Sequence, residues 1–80
     1  MSRYFFDFKT GDIVTPDEEG TELPNLEKAH HEALGSLVDA ICDFAKEGQS
    51  QQSFAVVVRD EHGPVLNLSA VFDSKILRTQ

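Results

Sequence analysis

One segment limits what this chain can fold into more than any other: Leu26 to Glu47, free of proline and bounded by Asn25 and Gly48. Asn25 is a good N-cap, Pro24 holds the entering chain extended, and Gly48 suits the position just past a helix end. At about 100° per residue, Leu26, Ala29, Ala33, Leu34, Leu37, Val38, Ile41, Phe44 and Ala45 fall in one arc roughly half the circumference wide. Lys28, Glu32, Gly35, Ser36, Asp39, Asp43 and Lys46 fill the other side. The segment therefore predicts one long amphipathic helix that needs a sheet to cover its apolar face.

Strand signals flank the helix on both sides. "RYFFDF", "KTGD" and "IVTP" read as a hairpin in which Gly11 supplies the turn and Pro16 ends the second strand. After the linker "GQSQQ", "SFAVVVRD", "EHGP" and "VLNLSAVF" read as a second hairpin. Phe54, Val56 and Val58 share one parity, as do Leu66, Leu68, Ala70 and Phe72, so these seven are expected under the helix. If Tyr4, Phe6 and Phe8 join them, Phe5, Ala55, Val57, Val65 and Val71 lie together on the opposite side. The expected fold is α+β: a four-stranded antiparallel sheet in ββαββ chain order, with one helix on one face and residues 1–80 forming a single domain. The tail from Asp73 either packs Ile76 and Leu77 in a short turn or frays.

Charge narrows the function classes. Fourteen acids against seven bases give a net charge of −7, and no base occurs between Lys9 and Lys28. Such a field opposes nucleic acid, so no nucleic-acid partner is expected. The longest apolar run, Phe54 to Val58, is far too short to span a bilayer, and Asp7 interrupts the apolar start where a secretory leader would continue. A cytoplasmic location and no membrane partner are the expectations, and the single Cys42 agrees with them.

Candidate chemistry is sparse. The acidic loop with Asp17 and Glu19, together with Glu27 and His31 one helical turn apart, offers the only weak set of metal ligands. A calcium loop of the EF-hand type starting at Asp17 would need glycine at its sixth position, and Glu22 stands there. The simpler reading places these carboxylates at the positive end of a helix dipole. Cys42 is expected to be a small buried or half-buried apolar residue, with Asp39, Asp43 and Glu47 giving the wrong field for a nucleophile. No catalytic or nucleotide-binding motif is present, so no catalytic residue and no cofactor is expected.

The order "RYFFDF…DEEGTELPNLEKAHHEAL…VRDEHGPVL" resembles a family of short bacterial proteins catalogued as a domain of unknown function. Its members begin with a similar aromatic strand and carry Asp-Glu-x-Gly-x-x-Leu-Pro-x-Leu before a helix. More distantly, the acidic-Gly loop and the helix start resemble the small partner domain of HicB-type antitoxins, although no Gly-Cys-x-Thr-type segment precedes the helix and no DNA-binding extension follows it. The family resemblance implies no activity. The functional expectation is a non-catalytic interaction module that forms a homodimer through Phe5, Ala55, Val57, Val65 and Val71, with an unidentified protein as a further possible partner. The alternative is a small-ligand or metal-binding domain that uses the acidic loop.

Overall fold

The computed structural model describes residues 1–78. Five strands and one helix follow in the order β1 (Ser2–Thr10), β2 (Ile13–Thr15), β3 (Thr21–Leu23), α1 (Leu26–Lys46), β4 (Gln51–Asp60) and β5 (Gly63–Asp73). All pairings are antiparallel, and the sheet runs β2-β1-β4-β5, with β3 pairing β1 beside β2. The fold is α+β as expected, but the sheet has five strands instead of four. The extra strand is β3, three residues inside what reads as an acidic loop. Three residues are too few to show alternation, and their pairing comes from β1, whose nine residues outrun the three of β2 and leave Ser2–Tyr4 free to pair with Thr21–Leu23.

The helix starts and stops for the expected reasons. Asn25 is extended and its side chain accepts from the Lys28 N–H at 2.9 Å. Glu47 closes the last turn, and Gly48 follows at φ 78°, where a side chain would be strained. Beneath the helix, Tyr4, Leu23, Ala29, Ala33, Leu37, Phe44, Phe54, Val56, Val58 and Leu68 form the buried core. Phe44 anchors the C-terminal half of the helix, its ring meeting those of Phe54 and Phe72 edge-on at 5.5 and 5.6 Å. The seven expected β4 and β5 residues all belong to this layer, as do Tyr4, Phe6 and Phe8 of β1.

The helix is rotated from the expected arc. Its buried stripe is Ala29, Ala33, Leu37 and Phe44, with Ala40 and Ile41 packed at its margin, whereas Leu34 and Val38 are 42% and 55% exposed and Ala45 is exposed as well. Two small alanines let the helix approach the sheet closely along one line, so the wider half of the apolar arc has no sheet beneath it. Cys42, expected buried or half-buried, is exposed. Ile76 and Leu77 do not pack: both are more than four-fifths exposed beyond the end of β5.

Truncation of the central aromatic tests this core. Phe44→Ala is expected to cost about 3–5 kcal/mol in urea unfolding, a large part of the stability of so small a domain. Gly35 sits in a helical turn with open space where a side chain would stand. Gly35→Ala is therefore expected to stabilise by about 0.5–1 kcal/mol in the same measurement.

Candidate functional site

The chemistry of the sheet's outer face centres on Asp7, Asp17 and Arg59. Strand alternation puts Phe5, Asp7 and Lys9 of β1 opposite Arg59, Val57 and Ala55 of β4 on the side away from the helix. The Arg59 guanidinium lies 4.5 Å over the Phe5 ring, and its Nε donates to Asp7 Oδ2 at 2.8 Å. Arg59 Nη2 donates to the Asp17 carbonyl at 2.8 Å, and the Asp17 N–H donates to Asp7 Oδ1 at 2.9 Å. Arg3 ties the same loop from its far end, donating to the Glu19 carbonyl at 2.7 Å.

Asp17 then turns back on the sheet. Ser2 and Tyr4 of β1 pair with β3, Phe8 and Thr10 pair with β2, and Phe6 falls in the gap between the two short strands. Its N–H is met by Asp17 Oδ2 at 3.2 Å, while Asp17 Oδ1 accepts from the N–H groups of Glu19 and Gly20 at 3.2 and 3.1 Å. Gly20 has φ 73°, and a Cβ there would stand 2.8 Å from the Phe5 ring and 2.9 Å from Arg3. The loop is thus moulded onto β1, and it already covers part of Phe5.

These bonds set the protonation. Arg59 holds the Asp7 carboxyl below its ordinary value, aided by the Asp17 N–H and opposed by burial. The Gly20, Phe6 and Glu19 amides lower Asp17, with burial and the neighbouring Asp7 charge opposing. Arg59 is raised, chiefly by its bond to Asp7.

The residues singled out as metal ligands are not gathered. Asp17 spends both oxygens on main-chain amides, and Glu19 is exposed, its carbonyl turned to Arg3. Glu27 and His31 stand on the exposed helix surface. No group of three or more His, Cys, Asp or Glu that could hold a metal ion occurs among the described residues. Of the five residues singled out as an interface, Phe5, Ala55 and Val57 are half-buried; Val65 is exposed, and Val71 is 73% exposed.

A different feature, the free edge of β5, was not legible in the residues alone. Because the Phe6 N–H points to Asp17 and away from β4, Phe6 and Val58 are a non-hydrogen-bonded pair. Alternation then turns the main-chain groups of Phe54, Val56 and Val58 toward β5 and those of Ser53, Ala55 and Val57 toward β1. The Gly11 N–H bond to the Ser53 carbonyl, at 2.9 Å, agrees. On β5, therefore, Leu66, Leu68 and Ala70 bond to β4, and the N–H and C=O groups of Asn67, Ser69 and Val71 point out of the sheet. No charged side chain lies between Gly63 and Asp73 to guard that edge.

The model for a domain of unknown function, DUF6894, matches residues 3–71. The chain belongs to the DUF6894 family. No curated protein and no solved structure matches it. In this DUF6894 chain the residues Asp17, Gly20, Leu23 and Asn25 serve the joint between sheet and helix: edge acceptor, close approach, core contact and N-cap. No helix among the described residues is long and apolar enough to cross a membrane.

Two outcomes follow for the hub. The folded carboxyls of Asp7 and Asp17 titrate below their unfolded values, so their contribution is complete above the unfolded pKa of about 3.9 and is lost as pH falls through the folded values. Thermal melts should hold steady near neutrality and fall steeply below about pH 4, with the fall reduced in Asp7→Asn. Asp17→Ala, which strands three amides, is expected to cost about 1–3 kcal/mol at neutral pH.

Proposed function

We propose that this DUF6894 chain is a non-catalytic protein-interaction module that self-associates. The observation that carries the reading is the β5 edge: from Val65 to Phe72 the strand carries neither charge nor proline, and the outward main-chain groups of Asn67, Ser69 and Val71 have no partner among the described residues. Edges of this kind are blunted in monomers by charge, proline or cover, and pairing with another strand is their ordinary use. On the other side of the sheet the long strand β1 has its outer edge met by β2, β3 and the Asp17 carboxylate, so the contrast between the two long strands lies within one molecule.

Surface accounting supports the same reading. The chain exposes 5946 Å², where a monomer of its mass usually exposes about 4,800 Å². Its radius of gyration is 14.8 Å, against about 12 Å for a compact chain of this length. A single helix on a single sheet leaves one sheet face and one helix flank uncovered.

A second reading of the contact surface rests on the outer face. Val71 and Val65 stand exposed there beside Val57 and Ala55, with Phe5 under Arg59, and face-to-face packing would cover them. The metal or small-ligand alternative has less support, since Asp17 is already occupied by main-chain donors.

Sedimentation equilibrium tests the proposal. At about 100 μM the wild type is expected to sediment with twice its 8.9 kDa monomer mass, a mass that falls on dilution through the micromolar range. A chain that stays at monomer mass throughout would remove the self-association reading. Val57→Asp separates the two surfaces, since it breaks a face-to-face dimer and spares an edge-to-edge one.

A further inference from the structure

The geometry points to a specific dimer: two β5 edges pair antiparallel about a two-fold axis at Leu68, and the exposed flanks of the two α1 helices close over the seam. This rests on the self-association reading and adds to it the surface, the register and the second layer.

Register follows from chemistry. The outward main-chain groups belong to odd-numbered residues, so the partner strand must bring odd residues opposite odd ones. With the axis at Leu68, Asn67 meets the partner's Ser69, and Val65, at the bulge, falls next to its Val71. The exposed valines of the outer face thereby cover each other. Shifting the axis to Asn67 puts Val65 against the partner's Ser69 and leaves Val71 without its valine. Shifting it to Ser69 puts Val65 against Asp73, and shifting it further toward the strand end puts Val65 against Lys75 or beyond it. The β-bulge between Val58 and Arg59 leaves Val65 without a partner on β4, since Val58 pairs with Leu66 and Arg59 with Pro64, so the regular part of the seam runs from Leu66 to Val71 with Val65 at its end.

The helix meets the same axis. Strands β3 and β4 are both antiparallel to β1, hence parallel to each other, and α1 connects them. In the right-handed crossover that such units adopt, the flank clockwise of the buried stripe, seen from the helix N-terminus, faces β5. That flank is Leu34, Val38, Ile41 and Ala45, spaced four, three and four residues apart as in a coiled-coil seam. Its midpoint lies between Asp39 and Ala40. Phe44 packs edge-on against Phe54, and two residues along β4 span about 6.8 Å, or roughly four to five helical residues, so the same part of α1 lies over Val56 and its partner Leu68. Because α1 packs on β4 and β5 alike, its axis stands about half a strand spacing inside β5. Two strand spacings then separate the helix axes, about 9.6 Å, within the 8–10 Å of packed helices.

A second copy is the occupant that satisfies both elements at once: open hydrogen-bonding groups along β5 and an apolar helix seam with antiparallel spacing. The test uses the full chain carrying Cys42→Ser, into which Asn67→Cys or Ser69→Cys is introduced. Opposed residues in this register lie within disulfide reach, whereas like residues are displaced by two positions along the strands and are not. Mild oxidation of an equimolar mixture should therefore form covalent dimer at least tenfold faster than either variant alone. Val38→Asp should weaken the dimer at least tenfold while the far-ultraviolet dichroism stays unchanged. A Ser69→Cys chain that cross-links by itself as fast as the mixture overturns the register. A wild type that is dimeric while neither cysteine cross-links and Val38→Asp has no effect overturns this interface and leaves self-association standing through the outer face. A wild type monomeric at about 100 μM overturns both.

Discussion

The carboxylate of Asp17 stands where a strand residue would stand. On the outer edge of β1 the two short strands leave the Phe6 amide without a main-chain acceptor, and Asp17 Oδ2 supplies one while Oδ1 gathers the next turn. Such a bond matters because an amide left unmet at a sheet edge either costs stability or invites another strand. From it the rest follows: the loop is fixed, Gly20 can sit against Phe5 and Arg3, Leu23 reaches the core, and Asn25 arrives in place to start the helix.

Arg59 and Asp7 make that joint part of the sheet instead of an attachment to it. Their ion pair joins β4 to β1, and the second arm of Arg59 reaches the Asp17 carbonyl, so loop and central strands are held by one guanidinium. The acids that dominate the loop's composition thus divide by role. Asp17 is structural and turned inward, whereas Glu18, Glu19 and Glu22 face solvent. The resulting molecule is asymmetric: the outer edge of β1 is met by two short strands and the Asp17 carboxylate, whereas β5 presents its main chain over most of its length.

Much of this was legible in the residues, and the exceptions have physical causes. The helix limits could be read from Asn25 and Gly48, and the β4 and β5 core from alternation, because both signals are local and periodic. Strand β3 was hidden because three residues carry no period and its pairing is paid for by a distant strand. The helix rotation was hidden because the apolar arc is wider than the contact. Ala29 and Ala33 weigh little on a hydropathy projection yet decide the line of closest approach, and Leu34 and Val38 weigh much yet face outward. The Asp7–Asp17–Arg59 hub spans residues forty-two and fifty-two positions apart, and no spacing rule reaches that far. The open edge of β5 came from the direction of one amide, that of Phe6.

Amide hydrogen exchange, followed residue by residue across a dilution series, tests the central contrast most directly: the outer edge of β1, met within the chain, against the edge of β5, which we propose a second copy closes. The account predicts that the Phe6 amide is protected at every concentration, and that the Asn67, Ser69 and Val71 amides are protected in concentrated solution and exchange freely once the protein is diluted. Rapid exchange at Phe6 in the folded protein, or exchange at those β5 amides that does not vary with concentration, would contradict it.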